Sequence, residues 1–130
     1  MTPTEAQEQK TLFEWLEWAK NKHPELELCH HIANGGSRNT VEAVHLKQQG
    51  VKPGVPDICL PVARGGYHGL YIELKRAKGG RVSEAQQRWL DALNEQGYRA
   101  VVCNGCEEAI AVISEYMVGE NDGANGKGAT

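Results

Sequence analysis

The 130-residue sequence has no apolar run near the ~18 residues that a membrane-spanning helix needs, which argues against a helical span. Its opening residues, MTPTEAQEQK, lack the basic and then apolar pattern of a secretory signal, so the expected location is the cytoplasm. The five histidines never fall at HxH or HxxxH spacing, so no histidine metal site is expected; His30 and His31 read as plain strand residues. One CxxC is present, Cys103 to Cys106, but the second pair that would complete a zinc site is missing. There is no excess of positive charge either: the net charge is -3. At this length one domain is expected, large enough to bury a core.

The charge is unevenly spread. Residues 29–81 carry eight Lys/Arg against three Asp/Glu, whereas the segments on either side are acidic. Arg38, Lys47, Lys52, Arg64, Lys75, Arg76, Lys78 and Arg81 make up that basic set. Local clustering, rather than total charge, sets phosphate affinity.

Within the basic stretch, residues 54–76 read GVPDICLPVARGGYHGLYIELKR. Val55 to Leu60 and Tyr67 to Lys75 both read as strands. The second alternates, with Leu70, Ile72 and Leu74 on one face and Tyr71, Glu73 and Lys75 on the other. Glu73 and Lys75 therefore point the same way, about 7 Å apart along the backbone. Pairing of the two strands can set Asp57 opposite Glu73. Two converging carboxylates repel unless a cation lies between them, and hard oxygen donors suit Mg²⁺ or Mn²⁺. A lysine beside them can orient a water or offset charge building on a phosphate. Glu-x-Lys alone is common on solvated strand faces; the Pro-Asp that opens the preceding strand is what makes the set informative.

The remaining elements follow local rules. Residues 4–21 read as an amphipathic helix capped by Thr4 or Thr2, with Leu12, Trp15, Leu16 and Ala19 as its apolar stripe. At about 100° per residue, Glu5 projects near the centre of that stripe and Glu8 near its edge. A first-turn acid also suits the positive end of the helix dipole. Glu27 to Ile32 reads as a short strand, followed by the loop Asn34-Gly35-Gly36-Ser37-Arg38. Asn39 and Glu42 form a capping-box pattern for a helix to about Gln49, with Val41 and Val44 inward. Ser83 and Gln86 form a second such pattern, for a helix burying Ala85, Trp89, Ala92 and Leu93. Arg99 to Cys103 reads as a strand, and residues 107–117 as a helix with Ile110, Ile113 and Met117 inward. The order α-β-α-β-β-α-β-α predicts an α/β fold, a single mixed sheet flanked by helices. Residues 1–118 form the domain; residues 119–130 (GENDGANGKGAT) are expected to be a disordered tail.

Gly54-Val55-Pro56-Asp57, Tyr71 to Arg76 and Ser83-Glu84-Ala85-Gln86, in this order and spacing, resemble the PD-(D/E)xK nuclease superfamily. Within it the chain is similar to the virus-type replication-repair nuclease (VRR-NUC) domain in its small stand-alone phage form, over about residues 4–118. The resemblance implies a metal-dependent endonuclease acting on DNA, including branched forms such as Holliday junctions, as a homodimer in the host-cell cytoplasm. It implies that Asp57, Glu73 and the Leu74 carbonyl hold Mg²⁺ or Mn²⁺. Glu5 is the best match to a helical acid that supports the metal, with Glu8 and Glu42 as alternatives. Lys75 and Gln86 complete the catalytic set, and Arg38, Lys47, Lys52, Arg76, Lys78 and Arg81 are candidate DNA contacts. Two rivals stand beside it: a non-catalytic nucleic-acid-binding module on the same fold, and a thiol redox protein using Cys103 and Cys106.

Overall fold

A computed structural model describes residues 2–33 and 40–121. Helix α1 (Glu5–Ala19) is followed by a 3₁₀ turn (Pro24–Leu28), strand β1 (His30–His31) and helix α2 (Thr40–Gln48). Strands β2 (Ile58–Leu60) and β3 (Leu70–Lys75), helix α3 (Glu84–Glu95), strand β4 (Arg99–Asn104) and helix α4 (Cys106–Met117) complete the chain order. The sheet runs β1-β2-β3-β4, antiparallel at its first two pairings and parallel between β3 and β4. The parallel pair is joined through α3, the crossover helix that such a connection requires. An α/β fold with one mixed, helix-flanked sheet is thus the observed architecture.

The alternation of β3 decides how the layers stack. Leu70, Ile72 and Leu74 are each 1% exposed and join Ile58, Leu60 and Cys103 in the main core. Leu12, Leu16 and Ala19 of α1 and Ala109, Ile113 and Met117 of α4 cover that face. Full burial of each Leu or Ile contributes about 1.5–3 kcal/mol. Tyr116 ties α4 to the loop after β2 by donating its hydroxyl to the Val62 carbonyl at 2.6 Å. The opposite face, bearing Tyr71, Glu73 and Lys75, meets α3. There Asn94 donates to the Leu90 and Ala100 carbonyls and accepts from the Ala100 amide, fastening α3 to β4.

Several local expectations change. Residues 24–28 form a 3₁₀ turn opened by Pro24, which leaves only His30 and His31 for β1. Helix α2 buries nothing, with Val41 63% and Val44 48% exposed. Its apolar residues, Val41, Ala43, Val44 and Leu46, are spread around the axis, so no side of it can serve a core. Its expected cap, Asn39, lies outside the described residues. Helix α3 fully buries only Leu90, leaving Ala85, Trp89 and Leu93 half-buried and Ala92 exposed. At the C-terminal end the chain stays attached as far as Asn121. The Glu120 carbonyl accepts from the Gly65 amide, and Asn121 accepts from Arg64. The rest of the expected tail, 122–130, lies outside the described residues.

Candidate active site

The β2–β3 register pairs Ile58 with Ile72, so the next residues outward, Asp57 and Glu73, come level. Asp57 is clasped into place. Its Oδ2 accepts from the Leu74 amide at 2.9 Å, inside the Glu73-Leu74-Lys75 stretch itself. From the other side its backbone carbonyl accepts from the Ile32 amide at 2.6 Å and lies 3.0 Å from His31 Nδ1. A carbonyl can only accept, so this contact requires the proton on Nδ1. His31, read from the sequence as a plain strand residue, thus buttresses Asp57.

Glu73 is 1% exposed and Lys75 6%. Glu73 Oε2 receives both Lys75 Nζ at 3.3 Å and Gln86 Nε2 at 3.0 Å. Its other oxygen, Oε1, is buried with no hydrogen-bond partner among the described residues. Burial, and then the charge of Asp57, raise Glu73 to about 7, against the opposing pull of Lys75. The two carboxyls lie close enough to share a hydrogen bond when one is protonated. A proton there occupies a place that a cation can take.

Gln86 closes the cap that its sequence position suggested and also reaches into the site. Its Oε1 accepts from the Ser83 amide, closing the capping box, while its Nε2 holds Glu73. One side chain therefore ties the start of α3 to the centre of the site. Two glycines make the approach possible. Gly54, with φ +92°, lies so close to α3 that a Cβ would come within 2.6 Å of the Ala85 backbone. A Cβ at Gly80 would stand 2.8 Å from Lys75 Cβ, so the loop after β3 rests on the lysine stem.

The other candidates divide. Glu5 is exposed, whereas Glu8, one turn on, is 8% exposed and accepts from the Cys106 amide at the start of α4. Glu5 has the right azimuth but stands a turn nearer the N-terminus than the α4 contact, so the face is covered at Glu8 instead. Among the described residues no group of three or more His, Cys, Asp or Glu gathers as a metal cluster, so the acids at this point are Asp57 and Glu73. Glu42 is exposed on α2. Arg76, Lys78 and Arg81 are exposed on the loop that leaves Lys75, and Lys47 and Lys52 are exposed on and after α2. Arg38 lies outside the described residues. Arg64 leaves the basic set: it is buried, near Glu25 at 3.3 Å and bonded to the Ala63 carbonyl, close to the opposite end of β3.

Burial argues against a redox role for the CxxC pair. Cys103 and Cys106 are buried, and burial pushes both thiols up, Cys103 to about 12. A reactive CxxC needs a thiol shifted the other way.

A hard divalent cation fits this donor set. An orphaned buried carboxylate oxygen beside a second carboxylate is costly unless a positive charge meets it. This has a pH signature. Because Glu73 in the fold sits above its ordinary 4.5, its favourable contribution to metal-free stability is full below that value and lost as pH rises through about 7. Cation binding opposes that loss. Mg²⁺ or Mn²⁺ is therefore expected to raise the melting temperature more at pH 8 than at pH 6. A shift independent of pH across this window, read by differential scanning fluorimetry, would argue against Glu73 as a ligand.

Comparison with known proteins agrees with the geometry. The VRR-NUC domain family model matches residues 2–107. A solved structure described as a VRR_NUC domain protein superposes with a TM-score of 0.79 at 32% identity, covering 93% of each chain. A search of curated proteins gave no match. Among the described residues no helix is long and apolar enough to cross a membrane. With its motif residues gathered at the end of β3 and the family model spanning most of its length, the chain belongs to the VRR-NUC family of nuclease-type domains.

Proposed function

We propose that this protein is a divalent-metal-dependent DNA endonuclease that prefers branched DNA, Holliday junctions included, and acts as a homodimer. The observation that carries the reading is that Lys75 and Gln86 converge on Glu73 Oε2, with Asp57 held level by the Leu74 amide, while Glu73 Oε1 is buried without a hydrogen-bond partner among the described residues. Asp57, Glu73 and the Leu74 carbonyl would hold Mg²⁺ or Mn²⁺. Glu8, rather than the exposed Glu5, is the helical acid nearer the sheet. The cation, when bound, supplies electrostatic stabilisation of the charge that builds on a phosphate under attack.

The chain's own groups do the rest. Lys75, buried and paired with Glu73, would donate an N–H hydrogen bond to the attacking water or to a phosphate oxygen. Gln86 holds Glu73 and so indirectly sets the lysine. Arg76, Lys78 and Arg81, following directly on Lys75, would bind the phosphates on either side. The products would be a 5′-phosphate and a 3′-hydroxyl. A pair of sites related by two-fold symmetry would suit cutting two opposed strands.

A cleavage panel tests this: four-way junctions, flaps, splayed arms and duplex, each with Mg²⁺, Mn²⁺ or EDTA. Junction cleavage is expected with either metal and none in EDTA. Metal-independent cleavage would refute the mechanism. Efficient duplex cutting, or a species that sediments only as monomer at micromolar concentration, would refute the junction and dimer assignments.

A further inference from the structure

Helix α3 is amphipathic in sequence, yet much of its apolar face stays uncovered. Pro53, Ala85, Arg88, Trp89 and Ala92 line an open groove of about 270 Å³, and Trp89 stands outside the main core cluster. The groove starts at the site. Ala85 is the residue against which Gly54 is pressed, and Pro53 precedes Gly54 on the segment that leads to Asp57. Trp89 lies three residues beyond Gln86, about 5 Å along the helix axis and within roughly one nucleotide of the group that holds Glu73.

We propose that this groove receives an unpaired DNA base, stacked on Trp89, with Arg88 and Lys52 on its flanking phosphates. The proposal rests on the nuclease reading and adds what that reading lacks, an element that can recognise a branch. The lining selects the occupant. An indole beside a proline ring offers a flat apolar wall to a nucleobase, and a guanidinium in the same wall answers a phosphate. Arg88 lines the groove and is exposed, and Lys52, exposed, directly precedes the lining residue Pro53, so two cations are available to an anionic partner. The groove is also below the ~300–1,000 Å³ of pockets that enclose drug-sized ligands, which suits one planar ring. A fully paired base has both faces occupied by its neighbours and gains little from an added platform. A base at a junction or flap is already partly unstacked, so Trp89 favours branched substrates over duplex.

The test uses the full chain and fluorescently labelled DNA in EDTA, where binding is read without cleavage. Fluorescence anisotropy compares a flap carrying two unpaired nucleotides with a duplex of the same length. Trp89→Leu keeps an apolar side chain and removes the ring; Trp89→Phe restores a ring; Trp18→Leu removes the 68% exposed tryptophan on α1 as a control. Trp89→Leu is expected to weaken flap binding about tenfold, within the range for loss of one stacked base, and duplex binding less than about twofold. Trp89→Phe should recover most of the loss, and Trp18→Leu should change neither. Equal loss on both DNAs, or no loss, would overturn the proposal. So would a loss that tracks the dissociation of a dimer in sedimentation, which would make the groove a contact between copies. Absence of cleavage with this discrimination intact would refute the nuclease reading alone.

Discussion

Glu73→Gln is expected to lower metal-dependent cleavage at least ~100-fold, the scale of losing one preorganised electrostatic group, while leaving the metal-free fold at least as stable as before. Asp57→Ala and Lys75→Ala should lose activity on the same scale. The two halves of the Glu73 result come from one cause. Glu73 is a carboxylate that its surroundings disfavour, with burial and the Asp57 charge outweighing Lys75 and one oxygen unpartnered. A neutral isostere removes that cost. The sign depends on pH: at pH 8 wild-type Glu73 is charged and the variant gains, whereas at pH 5 it is already protonated and the gain vanishes. Melting curves at both pH values, beside a junction-cleavage assay, check this. A variant with near-wild-type turnover would remove Glu73 from the mechanism, and one that melts far lower at pH 8 would show the carboxylate to be structural.

The second large effect is expected at a residue with no chemistry of its own. Gly54→Ala should destabilise the protein by about 3 kcal/mol or more and depress cleavage with it. Strain at φ +92° contributes ~1–3 kcal/mol, and overpacking adds a similar amount. The added Cβ would lie 2.6 Å from backbone atoms of Ala85, which cannot swing aside as a side-chain end can. Relief requires the segment before Asp57 to separate from α3, the helix whose start carries Gln86. Gly50 provides the contrast. Its φ is +101°, but no atom lies within 4 Å of an added Cβ, so Gly50→Ala should incur only the backbone strain, ~1–3 kcal/mol, without the overpacking. Urea unfolding of both variants separates crowding from strain. Equal destabilisation would mean that the contact with α3 contributes nothing.

Much of the site was legible because its signals are short-range. The period of two in Leu70 to Lys75 already put Glu73 and Lys75 on one face. The four-residue Ser83–Gln86 pattern specified a helix start that presents Gln86. Such features depend on neighbours within a few positions, and no distant segment could easily change them. Pro56-Asp57 beside a strand suggested which acid would oppose Glu73.

Burial was a different matter, because it depends on what arrives from elsewhere in the chain. Angular projection favoured Glu5, but α4 begins level with Glu8, and coverage prevailed over azimuth. Val41 and Val44 stay exposed because the apolar residues of α2 are spread around its axis rather than gathered on one face. Arg64 belonged to the basic stretch by number, yet packing near Glu25 withdrew it from the site. The clasp from Asp57 to the Leu74 amide, the His31 buttress and the close contact of Gly54 with Ala85 all join residues far apart in sequence. Sequence alone therefore specified which residues could share a face or cap a helix. The tertiary fold decided which acid is buried, which cations stay exposed and which oxygen is left unpartnered, since hydrogen bonds and desolvation are set by distances between segments.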